Sequence, residues 1–343
     1  EALGSQLHFG TTAIQPVMNG RRVVGIIAWT ADGSYRRYLA RKGVLLAAGG
    51  FSGNREMLQD LVTDIPDLLR DDQPLPKFPG WKGLGHQIGV WARGRLEPRP
   101  LPVMGGNYAT VSGFTTYGVL WLDREGRRFC NETFGGPELA FQPVTQMPQG
   151  IFYNIFDEHI LEDLEWAVPA HGGFDQLIPN SIQALRQIMD NAAAHPQGSP
   201  DSMRPMREAF HFDYVADNIY SGLTPEELVK NAGLPDPVAR NAMDAIERYD
   251  QLCEKKRDDD FGKDSKLLRP LSGRLFLQKS EQRGNLGFML TTVGGFVTDR
   301  YQNVLDHSYE PIPGLYASGN CCGRRFGPMY TTPIAGLSIS MAL

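Results

Sequence analysis

Residues 43–50 read GVLLAAGG, and this stretch decides the fold. An unbroken apolar run, with no alternation, fits a strand buried on both faces, as in a parallel sheet covered by helices. It ends in Ala47, Ala48, Gly49 and Gly50, which strips side chains from the backbone where the chain leaves the sheet. Two readings stay open there: a tight strand-to-loop turn, or a place where a flat cofactor or another backbone comes close.

Upstream, LHFGTTAIQPV (residues 7–17) alternates and leads into Asn19-Gly20, a pair that tolerates positive φ at both positions. RVVGIIA (22–28), a polar turn at Asp32-Gly33 and SYRRYLA (34–40) complete an antiparallel meander. Downstream, residues 51–100 turn irregular, with one helix predicted in HQIGVWARG (86–94). Residues 100–280 hold most of the prolines and long polar stretches, interrupted by helices. The clearest is 236–256, where Ala242, Ile246, Tyr249 and Cys253 share one face while Arg240, Glu247 and Glu254 turn away. Asp236-Pro237 reads as an N-cap followed by proline at the first helical position. From about residue 286 the glycine-rich, β-like character returns in GGFVTD (294–299) and GLYASGN (314–320). The latter is a second strand ending in glycine. In MYTTPIAGLSIS (329–340) Pro333 opens a helix, so the N–H groups of residues 334–337 lack intrahelical partners and favour an electron-rich group.

At 343 residues the chain has room for about two domains of ~150 residues. Hydrophobic residues at 41% and charged residues at 21% exclude a disordered tail, a collagen-like fibre or a coiled-coil rod. No run reaches the ~18 apolar residues of a membrane span. Lys and Arg total 34 against 39 Asp and Glu, a formal charge of −5, which argues against nucleic acid as a partner. Cys130, Cys253, Cys321 and Cys322 are too scattered for a disulfide framework or a zinc site and read as buried or incidental thiols. The chain begins with Glu1 and stops inside a helical pattern, so it reads as a fragment, and the compartment stays open.

Four segments carry a resemblance: RKGVLLAAGGFSGNREM (41–57), LDREGRRFCNE (122–132), IERYDQLCEKKRDDDFGK (246–263) and TTVGGFVTDRYQNVLDHSYEPIPGLYASGN (291–320). Together they resemble the flavoprotein family of fumarate reductases, urocanate reductases and 3-ketosteroid dehydrogenases. The resemblance implies an α/β fold: an FAD-binding, dinucleotide-type domain, truncated at both ends, interrupted by an α+β capping domain. The expected limits are 1–100 and 289–343 for the FAD domain and 101–288 for the cap. It implies hydride exchange between flavin N5 and a carbon next to an activating group. It also implies that Ala13 lends its backbone to the adenine, that Ala48, Gly49 and Gly50 pass near FAD, and that Gly319 and Asn320 lie against it. Asn320 stands where many members have a Glu bonding cofactor hydroxyls. Ala335, Gly336 and Leu337 present N–H groups to the flavin pyrimidine.

Departures from that family are equally informative. A GxGxxG phosphate fingerprint is absent; Gly83-Leu84-Gly85 lacks the third glycine and the preceding strand, and the fingerprint is expected upstream of Glu1. Three dicarboxylate-handling positions of the fumarate reductases are replaced, by Leu161, Thr291 and Tyr330. A dicarboxylate needs cationic, bidentate partners, so fumarate is not the expected substrate. Tyr330 is similar to a ketosteroid-dehydrogenase Tyr whose hydroxyl polarises a ketone; a packed Tyr is the other reading. Glu132, in CNETFGG, matches a family Glu near the substrate, or is a surface-loop carboxylate. Tyr330, Glu132 and Thr291 are the catalytic candidates, no metal is expected, and His159 and His211 are the histidines worth testing. The expected function is an FAD-dependent oxidoreductase reducing or introducing a C=C bond conjugated to a carbonyl. Its substrate is a small, enone-type molecule, and an electron donor or second redox domain is its partner. A non-catalytic flavin-carrying electron-transfer subunit is the alternative.

Overall fold

The computed structural model describes residues 4–64, 81–105, 119–132, 151–166, 180–199, 202, 204–205, 208, 219–281 and 289–326. Strands β1 (Thr11–Asn19), β2 (Arg22–Thr30) and β3 (Tyr35–Leu39) form the antiparallel meander that the alternation implies. Its first turn differs from expectation. Asn19 pairs with Arg22, so the loop is Gly20-Arg21, and of Asn19 and Gly20 only Gly20 (φ +59) is left-handed. Glycine first in a two-residue loop is the II′ arrangement, which needs one positive φ rather than two.

Strand β4 (Val44–Leu46) pairs in parallel with β12 (Pro311–Ala317), Leu45 opposite Tyr316, and β11 (Asn303–Leu305) lies on the far side of β12. The parallel pairing agrees with the reading of residues 43–50, but burial on both faces does not. Leu46 is 4% exposed and packs with Val23, Ile88, Phe296 and Leu315, whereas Leu45 is 58% exposed. Only one face of this strand is covered by described residues. Helix α1 (Arg55–Leu61) is capped by Asn54, whose Oδ1 accepts from the Met57 N–H at 3.2 Å. Helix α2 (Leu84–Trp91) starts from Gly83, earlier than the apolar pattern suggested, because Gly83 adopts the left-handed φ of +74 at its cap. Gly85 of GLG serves close packing: a Cβ there would lie 2.7 Å from Cys321 Sγ and 3.1 Å from Ala48 Cβ.

Strand β5 (Val103–Gly105) pairs antiparallel with β10 (Met289–Thr292). Between them in the chain lies a four-stranded sheet of β6 (Val119–Asp123), β7 (Ile151–Asp157), β9 (Leu275–Glu281) and β8 (Ile219–Gly222), in that spatial order. Helices cover both faces. Val119 and Trp121 of β6 join the core with α3 (Ile160–Trp166) and α4 (Ser181–Ala194). Leu120 and Leu122 face α5 (Pro225–Asn231) and α6 (Asp236–Lys255). This is the strand period of two made visible. In α6 the predicted face is buried, but the cap is Pro235, one residue earlier than expected. The Pro235 carbonyl accepts from the Ala239 N–H at 2.9 Å, so the ladder already starts there. The four cysteines are free and buried, as expected. Among the described residues no helix is long and apolar enough to cross a membrane.

Candidate cofactor and substrate site

Parallel β4 and β12 end together. The Ser318 N–H donates to the Leu46 carbonyl at 3.0 Å, and Cys321 Sγ lies 3.4 Å from the Gly49 carbonyl oxygen. Open α/β sheets hold ligands outside the carboxyl ends of such strands. The chain leaves β4 through exposed Ala47 and Ala48 into Gly49, whose φ is +75. Gly319, beyond β12, has φ +60 and no atom within 4 Å of where a Cβ would stand. Asn320 Nδ2 donates to Thr291 Oγ1 at 3.5 Å. The structure therefore brings Ala48, Gly49, Gly50, Thr291, Gly319 and Asn320 to one place. Ala13 lies at the margin of the adjoining core, just before a register break between Ala13 and Gln15 in β1. A shelf made largely of backbone, open at Gly319 and edged by the Asn320 amide, fits a flat cofactor with hydroxyl groups.

Gly50 fixes this shelf to β10. A Cβ there would stand 2.4 Å from Thr292 Oγ1 and 2.8 Å from the Thr292 carbonyl oxygen. The same hydroxyl accepts the Phe51 N–H at 2.7 Å. Gly50→Ala is expected to cost ~1–3 kcal/mol through overpacking, read as a lowered denaturation midpoint. An unchanged midpoint would show that the turn yields freely.

Thr292 was not singled out in the sequence, nor were His86 and Glu97. His86 is fully buried on α2, between the rings of Phe51 and Phe296. Its Nε2 is 2.9 Å from the Gly294 carbonyl, which only accepts, so the proton sits on Nε2. Burial lowers the imidazole pKa, against the opposing pull of the Gly294 and Asn320 backbones. The unfolded chain therefore takes up a proton below about pH 6.5 that the folded chain resists. Stability should fall as pH drops below that value, by at most ~1.4 kcal/mol per pH unit for one group. Denaturation of His86→Phe from pH 7 to 5 (about the span of that titration) should show a shallower slope; an identical slope would remove His86 from this role. Glu97 takes the Gly295 N–H on Oε1 at 2.9 Å and the Arg324 N–H on Oε2 at 2.8 Å, tying together the segments that flank the site.

Glu132 belongs to a network of its own with Arg128 and Lys263. It is buried rather than on a surface loop, and both oxygens accept from Arg128, at 2.7 and 2.8 Å. Lys263 Nζ stands 3.6 Å from Oε2, and Arg128 also holds Asp258. Leu161 packs against the α3–α4 core, and His159 Nδ1 lies 3.6 Å from Glu162. Tyr330, Ala335, Gly336, Leu337 and His211 lie outside the described residues. No cluster of His, Cys, Asp and Glu suited to a metal occurs among the described residues.

Comparison with known proteins agrees with this geometry. Vinyl phenol reductase of Lactiplantibacillus plantarum is 24% identical over 100% of this chain and 66% of its own length. The 4-oxocyclohexanecarboxylate 2-dehydrogenase of Sinomonas cyclohexanicum is 24% identical over 99% of this chain and 54% of its own. Among solved structures, 3-ketosteroid-Δ4-(5α)-dehydrogenase from Rhodococcus jostii RHA1, in complex with 4-androstene-3,17-dione, superposes with a TM-score of 0.65 at 21% identity, covering 99% of this chain and 58% of that one. The chain thus spans less than two thirds of each of these proteins. The pattern of the FAD binding domain matches residues 1–221 and 238–337, which include both glycine-ended strands. With the backbone shelf that those strands build, the chain belongs to the FAD binding domain family.

Proposed function

We propose that the chain is the catalytic part of an FAD-dependent oxidoreductase that reduces, or introduces, a C=C bond conjugated to a carbonyl in a small, non-dicarboxylate molecule. The observation that carries this reading is the convergence of Gly49, Gly50, Thr291, Gly319 and Asn320 at the carboxyl ends of two parallel strands. Among its relatives, the oxocyclohexanecarboxylate dehydrogenase is named for a ketone substrate and the vinyl phenol reductase for a C=C bond without a carbonyl, so together they support redox chemistry at carbon–carbon bonds. When bound, FAD supplies hydride exchange at its N5.

In this reading residues 1–100 and 289–343 build the cofactor side, and 101–288 close over the substrate. Ala13 offers its backbone to the adenine. Ala48, Gly49 and Gly50 pass near the cofactor, Asn320 bonds its hydroxyls, and Ala335, Gly336 and Leu337 direct N–H groups at the pyrimidine. Thr291 lines the substrate side, and the Tyr330 hydroxyl donates to the substrate carbonyl. Glu132 is a positioning group, since its carboxylate faces Arg128 and Lys263. A redox protein or further domain delivers electrons. The test uses the full-length, FAD-loaded protein, photoreduced without oxygen and mixed with a panel of enones. Flavin reoxidation whose rate rises with enone concentration is expected. Reoxidation by a redox protein but by no enone would overturn the reading in favour of a flavin carrier.

A further inference from the structure

We propose that the outer face of the β1–β3 meander is a docking surface for an anionic lipid bilayer, to which the protein binds peripherally. The inference is independent of the reaction assigned above. Side chains of a strand alternate between its two faces. Ala28 and Thr30 of β2 are buried, so Ile27 and Trp29 point outward. Trp29 stands opposite Tyr35, Ile27 opposite Arg37 and Gly25 opposite Leu39, which puts all of these positions on the same outer face. The Trp29 and Tyr35 rings meet edge to face, with centroids 4.8 Å apart, yet both remain exposed. Leu39, with only Gly25 across from it on β2, is 69% exposed. Phe9 is 89% exposed and belongs to the Trp29 end of the meander, where the Gly10 carbonyl accepts the Ala31 N–H at 2.8 Å. Exposed apolar side chains grouped in this way and rimmed by charge mark an interaction surface.

The charge around this face selects the partner. Residues 21–42 hold Arg21, Arg22, Arg36, Arg37, Arg41 and Lys42 against one acid, Asp32, in a chain whose net charge is −5. Arg21 and Arg36 are paired with Asp306 and Asp32. Arg37, on the outer face, and Arg41 and Lys42, just beyond β3, are exposed and have no acidic partner among the described residues. A second copy of this chain is a poor occupant, because Arg36 and Arg37 on the outer strand β3 would meet like charges in an edge-to-edge pairing. A bilayer with anionic headgroups takes both halves of the pattern. Arginine and lysine stay level with the headgroups. Trp and Tyr rings sit at the interface, where one end of each ring is apolar and the other wet. Leu39 and Phe9 enter the apolar layer beneath.

The experiment follows co-sedimentation of the full-length, FAD-loaded protein with vesicles of phosphatidylcholine, alone or mixed with phosphatidylglycerol. The wild type should partition ~10-fold or more in favour of the mixed vesicles, an advantage that shrinks with added salt. Reversing two of the unpaired cations, Arg37→Glu with Arg41→Glu, should remove most of this preference. Trp29→Ser with Leu39→Ser should weaken partitioning by ~10-fold or more at unchanged charge. All four side chains are exposed, so melting temperatures near that of the wild type are expected and show that the variants fold. The wild-type comparison between the two vesicles stands even if a variant does not. Equal partitioning onto both vesicles, or none, overturns the proposal. So does binding to the mixed vesicles that neither double variant alters, because the contact would then lie elsewhere. Self-association without vesicle binding, lost in Trp29→Ser with Leu39→Ser, would assign the face to a second copy. Capture by polyglutamate without vesicle binding would assign it to an acidic protein, and either result overturns the bilayer.

Discussion

Arg128→Met is expected to destabilise the unit built on β6–β9 by ~3–5 kcal/mol, the scale of breaking a buried ion pair. The guanidinium side chain is 6% exposed, and the carboxylates of Glu132 and Asp258 are 0% exposed. Arg128 holds Asp258 through two bonds, at 3.0 and 2.8 Å, in addition to its pair with Glu132. Methionine would leave two carboxylates in the interior with Lys263 as the nearby cation, and Lys263 is already bonded to the Tyr249 hydroxyl at 3.0 Å. Asp258 also accepts the N–H groups of Asp260, Phe261 and Lys263, so the network ties the turn after α6 to residues 128–132.

The pH dependence has a definite sign. Burial alone would raise the Asp258 carboxyl, but the Arg128 and backbone hydrogen bonds prevail and hold it at about 2. A carboxyl depressed in the folded state contributes stability above its unfolded pKa, and that contribution fades as pH falls through its folded value. The gap between wild type and Arg128→Met should therefore be full near neutral pH and shrink between about pH 4 and pH 2. Hydrogen exchange on β6 and β9 reads this unit without relying on whole-chain melting. Protection within ~1 kcal/mol of wild type would show that Lys263 and water suffice.

Much of the fold was legible because it rests on local periodicity. The alternation of β1 and β2, the apolar face of α6 and the two glycine-ended strands are all short-range signals. What stayed illegible was set by partners far away in sequence. Thr292 reaches Phe51 across 241 residues, and Glu97 reaches Gly295 across 198. Glu97 stands between Leu96 and Pro98 and Thr292 between Thr291 and Val293, and nothing local marks the N–H group that each accepts. His86 did carry a signal, since it falls on the same buried side of α2 as Gly85, Ile88 and Gly89. A polar side chain on an apolar face must find a partner, here the Gly294 carbonyl. Glu132 illustrates the opposite case. Its surroundings in CNETFGG read as loop, whereas its burial depends on Arg128 and on Lys263, 131 residues on in the chain. The first hairpin loop and the α6 cap each shifted by one residue, to Gly20-Arg21 and to Pro235, because dihedral preference alone does not decide which carbonyl starts a ladder or which residue closes a hairpin.

Tyr330→Phe in the full-length enzyme is expected to leave FAD binding intact and to slow hydride transfer by ~10²–10³, or about 2.7–4 kcal/mol, the usual loss for one oxyanion donor. The expectation follows from our reading of the site. Tyr330 follows Arg325 by five residues and precedes Pro333 by three, so in sequence it stands between the described edge of the site and the helix start assigned to the flavin pyrimidine. When hydride adds to an enone, charge develops on the carbonyl oxygen, and a fixed hydroxyl stabilises it more in the transition state than in the bound substrate. Such a contribution appears in kcat and in kcat/KM together. A Tyr that only packs would behave differently. Phenylalanine keeps the ring, and losing one hydroxyl partner costs ~0.5–1.5 kcal/mol of stability without a matching loss of rate. Single-turnover flavin reoxidation, with the melting temperature measured on the same protein, separates the two. A slowed step at unchanged stability supports the carbonyl donor; an unchanged rate with a lowered melting temperature makes Tyr330 part of the pocket wall.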